Sequence, residues 1–97
     1  VTELQVVATI PAKPEAVDQI RAALQVLADA TRAEEGCLSY DLFESATAPG
    51  TFVTVERWTD AAALDVHLSS SHVADAFAAA DGALSGEVAV HPLQPVV

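Results

Sequence analysis

The run Glu56-Arg57-Trp58-Thr59-Asp60-Ala61-Ala62-Ala63-Leu64-Asp65-Val66-His67-Leu68-Ser69-Ser70-Ser71-His72 decides how this chain folds. It opens as the end of a strand and closes in helices. From Thr51 to Trp58 the residues alternate, with Val53, Val55 and Arg57 on one side and Phe52, Thr54, Glu56 and Trp58 on the other, the period-two pattern of a strand. Thr59 or Asp60 then stands where a helix needs a side-chain cap, and the predicted helix runs to about Leu68. The serines at 69, 70 and 71 interrupt it, and one of them is suited to cap a second short helix from Val73 to about Ala80. Val73, Ala76, Phe77 and Ala80 form the buried stripe of that second helix. The run holds the sole Trp and two of the three His, so candidate chemistry gathers at this strand-to-helix junction.

Working outward, Cys37 to Ser45 reads as a strand, and the short turn Thr47-Ala48-Pro49-Gly50 makes it the antiparallel hairpin partner of Thr51–Trp58. Leu38, Tyr40 and Leu42 share one of its faces. Further upstream, a helix is predicted from about Pro14 to Arg32, because Val17, Ile20, Leu24, Leu27, Ala28 and Thr31 recur at three- and four-residue steps. Pro14 suits its first turn, Glu15 and Asp18 its positive end and Arg32 its negative end, with Gly36 as the C′ residue. Glu3 to Ile10 is a first strand, with Leu4, Val6, Ala8 and Ile10 on one face and Gln5, Val7 and Thr9 on the other. Glu87 to Leu93 is a last strand, its Pro92 suited to a sheet edge.

The order is β-α-β-β-α-β, an α+β ferredoxin-like arrangement with a four-stranded antiparallel sheet. Its two helical segments cover a single face. The other face carries Val7, Phe43 and Phe52 rather than charges, so a second copy packed sheet to sheet is expected to cover it.

Composition bounds the partners. Ninety-seven residues make one domain, and such a chain buries only about 60–65% of its unfolded surface. Yet 52% of residues are hydrophobic and mean hydropathy is +0.34. The excess points to a cavity or a subunit interface, hence a homodimer or larger even assembly. Four basic residues against fourteen acidic ones give a net charge of −10, with no Lys/Arg stripe for phosphate backbones, so neither nucleic acid nor anionic membrane is an expected partner. No apolar run reaches the roughly 20 residues of a membrane span. One Cys excludes an internal disulfide framework and suits a reducing, cytoplasmic setting, and no signal peptide is expected from the opening residues.

Several side chains at the junction have both a structural and a chemical reading. Trp58 is a core or interface anchor, or a wall against which a planar ligand stacks. His67 lies three residues after Leu64, on the same helix side. It is a half-buried core histidine, or a base or donor aimed into a cavity. His72 follows His67 by five across the helix break, which is not the four-residue spacing of zinc helices, so no metal is expected. The serines form no nucleophile elbow and read as caps. Cys37 follows Glu34 and Glu35, whose charge raises a thiol's pKa and makes a poor nucleophile. Glu44 and Glu56 read as solvent-facing charges. The four glycines match no nucleotide-binding pattern, so no nucleotide cofactor is expected.

Three segments together resemble the antibiotic biosynthesis monooxygenase family, including quinol monooxygenases: Ile10-Pro11-Ala12-Lys13-Pro14-Glu15, Glu34-Glu35-Gly36-Cys37-Leu38-Ser39-Tyr40-Asp41-Leu42-Phe43, and Pro49 to Val73. The most specific part is Glu56, Trp58, Asp60, Leu64, His67, Ser70 and His72 at their spacing. The resemblance implies a dimeric α+β barrel that oxidises a small aromatic phenol or quinol with O₂, without metal or flavin. On that reading His67 is the catalytic base or donor, and Trp58, Tyr40 and His72 contact the substrate. A non-catalytic dimer that binds a small hydrophobic ligand is the alternative. A haem-degrading relative is a further one, weakened because that branch is similar in fold but uses a first-strand Asn, where this chain has Val6 and Val7 and no Asn anywhere.

Overall fold

The computed structural model describes residues 3–97. Its elements are β1 (Leu4–Pro11), a 3₁₀ turn at Pro14–Ala16, α1 (Val17–Arg32), β2 (Cys37–Glu44), β3 (Thr51–Trp58), α2 (Ala61–Leu68), α3 (Ser71–Ala79) and β4 (Ala89–Pro92). The strands form one antiparallel sheet in the order β2-β3-β1-β4. This is the expected ferredoxin-like α+β fold.

Local chemistry accounts for the element boundaries. Pro14 opens the first helical turn, where a missing N–H leaves nothing unpaired. Along α1, Ile20, Leu24, Leu27, Ala28 and Thr31 are buried, the stripe read from the sequence. Asp60 caps α2 by accepting from the Ala63 N–H at 2.8 Å, and Ser70 caps α3 by accepting from the Val73 N–H at 3.4 Å. Ser70 therefore supplies the predicted cap, and α3 starts two residues before the expected Val73. The last strand is shorter than predicted because only Ala89–Pro92 pairs with β1.

Gly36 corrects one expectation. It is not a left-handed C′ residue, since positive φ among glycines occurs only at Gly50 and Gly82 in the described residues. Ala33 caps α1. Gly36 is needed for space instead, because a methyl group there would overlap the Ala63 Cβ at the start of α2. Removing that close approach would push the helix carrying His67 away from the strand end.

The helices lie over one face of the sheet. There Ile10, Ile20, Leu24, Leu27, Phe52 and Val73 belong to one packed cluster, and Val6, Ala28, Tyr40, Trp58 and Leu64 to a second. Phe52 corrects a second expectation: it is 1% exposed and pairs with Ile10 across the sheet, on the helix-covered face. Strand alternation from Trp58 requires this, because residues an even number apart share a face. The open face carries Val7, Val53, Val55 and Phe43. Of these, Phe43 and Val55 are exposed.

Leu38 departs from the face it was expected to share with Tyr40. A register shift between Cys37 and Ser39 leaves it unpaired in the ladder, and it is exposed, as happens at a β-bulge. No described helix is long and apolar enough to cross a membrane.

Candidate functional site

A cavity of about 100 Å³ opens between the helix-covered sheet face and the helices above it. Its walls are mostly aliphatic, including Ile10, Leu24, Leu27 and Val73. Leu68 and Phe77 also line it while remaining exposed, so they form its mouth. Against this apolar surface stand four polar side chains: Tyr40 from β2, Thr54 and Glu56 from β3, and His67 from α2.

Glu56 overturns the expectation that it faces solvent. It is 3% exposed. One carboxylate oxygen accepts the Trp58 indole N–H at 3.0 Å and the other the Thr54 hydroxyl at 2.6 Å. Both donors sit two residues from Glu56 on β3, so strand alternation alone delivers them to one face. Glu44 is far along the hairpin, opposite Phe52. It bonds the Arg21 guanidinium at 2.7 Å and the Gly50 N–H at 3.0 Å.

Tyr40 pairs with Glu56 across the β2–β3 ladder. Burial pushes its phenol well above the ordinary value, and the nearby Glu56 charge pushes in the same direction, while a hydrogen bond with Thr54 opposes both. The phenol therefore keeps its proton at neutral pH and serves as a hydrogen-bond donor. The Cys37 thiol is also held above its ordinary value, by burial first and then by Glu34 and Glu56. It is a poor nucleophile, as its sequence neighbourhood implied.

His67 is 4% exposed and wedged among rings. The Trp58 ring centroid lies at 4.8 Å with a 37° interplanar angle, Tyr40 at 5.8 Å and His72 at 5.8 Å. Its Nδ1 is 2.6 Å from Glu34 Oε2, and the same oxygen is 2.8 Å from His72 Nε2. With each imidazole donating an N–H to the carboxylate, Nδ1 of His67 carries the proton. Nε2 is then the nitrogen whose lone pair is available to a ligand.

Of the residues singled out from sequence, His67 and Tyr40 line the cavity, and Trp58 and His72 do not. Trp58 is fully buried behind His67 and Glu56. It backs the site and is not one of its walls. His72 stands beyond Glu34. Thr54, Glu56 and Glu34 were missed. The parity of Glu56 with Trp58 was a usable signal. Glu34 had none, because it lies in the turn after α1 and reaches His67 across 33 residues. Glu34, His67 and His72 are also metal-type donors whose ligand atoms lie within 4.8 Å of one another.

The basic side chains are occupied elsewhere. Arg21 bonds Asp18 and Glu44, Arg32 approaches Asp29 and Asp41, Arg57 bonds Glu3, and Lys13 bonds the Gly82 carbonyl. None of them reaches the cavity.

Comparisons with known proteins agree with this architecture. Residues 4–79 match the sequence profile of the family described as antibiotic biosynthesis monooxygenase. A Mycobacterium tuberculosis protein named "Putative monooxygenase Rv0793" is 41% identical over 91 residues, covering 94% of this chain and 89% of that one. Its solved structure superposes with a TM-score of 0.89, covering 99% and 97% of the two chains at 38% identity. The crystal structure of PA3566 from Pseudomonas aeruginosa gives a TM-score of 0.90 at 31% identity, covering 100% and 97%. The match spans β1 to α3, which is three of the four strands, both capped helices and every polar residue of the cavity, so the chain belongs to the antibiotic biosynthesis monooxygenase family.

Proposed function

We propose that the protein is a cofactor-independent monooxygenase that oxidises a small, single-ring phenol or quinol with O₂. One observation carries this reading: an imidazole with Nδ1 held by a carboxylate lines an otherwise apolar cavity. Family membership supports the reaction class. The size class follows from volume. An engineered cavity of about 150 Å³ holds benzene, whereas this one measures about 100 Å³. A single ring fits after small movements at Leu68 and Phe77.

For a quinol, the substrate is the reductant. Quinol plus O₂ gives a hydroxyquinone plus water: one oxygen atom enters the ring, the other leaves as water, and all four electrons come from the substrate. Nε2 of His67 accepts the phenolic proton, and the resulting imidazolium is held by Glu34. Tyr40, kept protonated by burial, donates to the developing phenolate. An anionic ring gives up an electron to O₂ more readily than a neutral one. The apolar walls strengthen these interactions by excluding water.

The assembly belongs to the same reading. Two copies pair through the open sheet face, where Val7, Val53, Val55 and Phe43 supply an apolar centre. An interface of this kind buries roughly 2,000 Å² or more. Sedimentation at micromolar concentration should show a dimer or larger even species; a single 10.0 kDa species would contradict it.

Incubating the protein with hydroquinones under ¹⁸O₂, with mass spectrometry of the product, tests the chemistry. The expected result is one labelled oxygen in the product at a rate above the autoxidation blank. Saturable binding of such rings without turnover would replace this reading by that of a non-catalytic binding protein.

A further inference from the structure

We propose that Glu34, His67 and His72 form a binding site for a divalent transition-metal cation of the zinc class, set on the solvent side of the cavity. The donors come from three separate places, the turn after α1, the last turn of α2 and the first turn of α3, yet their ligand atoms lie within 4.8 Å of one another. The side chains of His67, Glu34 and His72 are 5%, 14% and 25% exposed. The cluster is thus enclosed on the His67 side and open to entry at His72. His67 lines the cavity and the other two do not, so the ion would sit behind the imidazole and outside the substrate space.

The charge balance calls for a cation. Glu34 is a largely buried carboxylate whose hydrogen bonds and ion pairs among the described residues run to the two imidazoles alone, with none to Lys or Arg. The chain carries a net charge of −10, which raises the local concentration of cations around such a site. Two imidazoles and a carboxylate suit zinc, nickel, copper or cobalt and suit magnesium poorly.

The geometry needs adjustment at all three donors, whose ligand atoms lie within 4.8 Å of one another and must settle at a common spacing around the ion. Ligand atoms of a tetrahedral zinc site stand about 3.3 Å apart, from metal–ligand distances near 2.0–2.2 Å. Here Glu34 Oε2 is 2.6 Å from His67 Nδ1 and 2.8 Å from His72 Nε2. Glu34 must therefore draw back by about half an ångström when the ion replaces the two protons. Water would complete the coordination on the exposed side.

Occupancy would reverse what His67 offers the cavity. With the ion on Nδ1, the proton of the neutral ring moves to Nε2, and an acceptor becomes a donor. The ion would switch His67 off as a base without touching the substrate. Metal binding itself is independent of the proposed reaction and is measured without it.

The test is a titration of chelator-treated protein with Co²⁺, followed by visible d–d absorption and by calorimetry, then displacement with Zn²⁺. The expected result is one ion per chain, displaced by Zn²⁺ and not by equimolar Mg²⁺. His72→Ala, at a partly exposed position, should weaken binding at least about tenfold, as should Glu34→Gln, with circular dichroism verifying the fold. His91→Ala, at the exposed histidine on β4, should leave it unchanged. Imidazole ¹⁵N shifts should move for His67 and His72 and not for His91. Absence of stoichiometric binding, equal losses in His72→Ala and His91→Ala, or binding that survives both Glu34→Gln and His72→Ala would overturn the proposal.

Discussion

The two ends of the helix-covered sheet face are built differently. At one end Ile10, Phe52, Ile20, Leu24 and Leu27 pack as an aliphatic and aromatic cluster. At the other, Val6, Trp58, Tyr40 and Leu64 pack around Glu56, Thr54 and His67, which are equally buried but polar. No buried side-chain nitrogen or oxygen among the described residues lacks a partner. A dry core needs only shape and volume. The polar end needs every donor and acceptor matched, because an unmatched buried group costs about 1–3 kcal/mol.

Substitutions can separate the two ends. The largest effect is expected from Phe52→Ala, which empties the centre of the dry cluster. Truncations of this kind cost about 3–5 kcal/mol, a large share of the roughly 5–15 kcal/mol that holds a domain folded. Denaturant unfolding should show it as a shifted midpoint. A loss below 1 kcal/mol would mean that the dry end is not where stability resides.

Glu56→Gln should come next. With the amide oxygen accepting from Trp58, the NH₂ can donate to the Thr54 hydroxyl, whose own proton then loses its acceptor; with the amide reversed, the NH₂ faces the indole N–H and leaves it unmatched. The expected loss is about 1–3 kcal/mol, with a change in the near-ultraviolet signal of the sole Trp. An unchanged protein would show that the network tolerates gaps.

A smaller, pH-dependent effect belongs to Tyr40. Its folded phenol titrates above the ordinary value of 10.0, so the unfolded state loses that proton first. Stability from this group is complete below about pH 10 and declines as pH rises toward the folded value, by at most about 1.4 kcal/mol per pH unit. Tyr40→Phe should flatten that part of the profile. Identical profiles for the two proteins would show that the phenol is not protected.

The smallest effect is expected at the surface. Arg57 and Glu3 form a bidentate pair at 2.7 and 2.8 Å, which holds the Glu3 carboxyl below its ordinary value. Both groups are solvated, and such pairs contribute little. Arg57→Ala should leave the melting temperature within error of the parent.

How much of this was legible in the sequence depends on whether the signal is periodic. The α1 stripe and the Asp60 cap read directly, because helical spacing and capping chemistry are local. Phe52 was assigned to the open face although its parity with Trp58 places it inside, and applying that parity would have found Glu56 too. Leu38 was put on the face of Tyr40 and lies exposed instead, because a bulge changes register without marking composition. Glu34 was invisible for a stronger reason. Its partners lie 33 and 38 residues away, and only the packing of the post-α1 turn against α2 and α3 brings them together. Trp58 was read either as a core anchor or as a pocket wall, since an aromatic at a strand end fits both places from sequence alone, and its full burial behind His67 matches the anchor.

The proposed function rests on the polar end positioning His67 to take a proton from a ring in the cavity. Steady-state oxygen consumption with a monocyclic quinol, measured for the parent and for His67→Gln alongside their melting temperatures, tests it most directly. Glutamine keeps much of the volume and can still hydrogen-bond to Glu34, but it removes the basic nitrogen. The expected result is a turnover at least about tenfold lower with a melting temperature close to the parent's. An unchanged turnover would remove His67 from the chemistry, and a variant that fails to fold would make it a core histidine and nothing more.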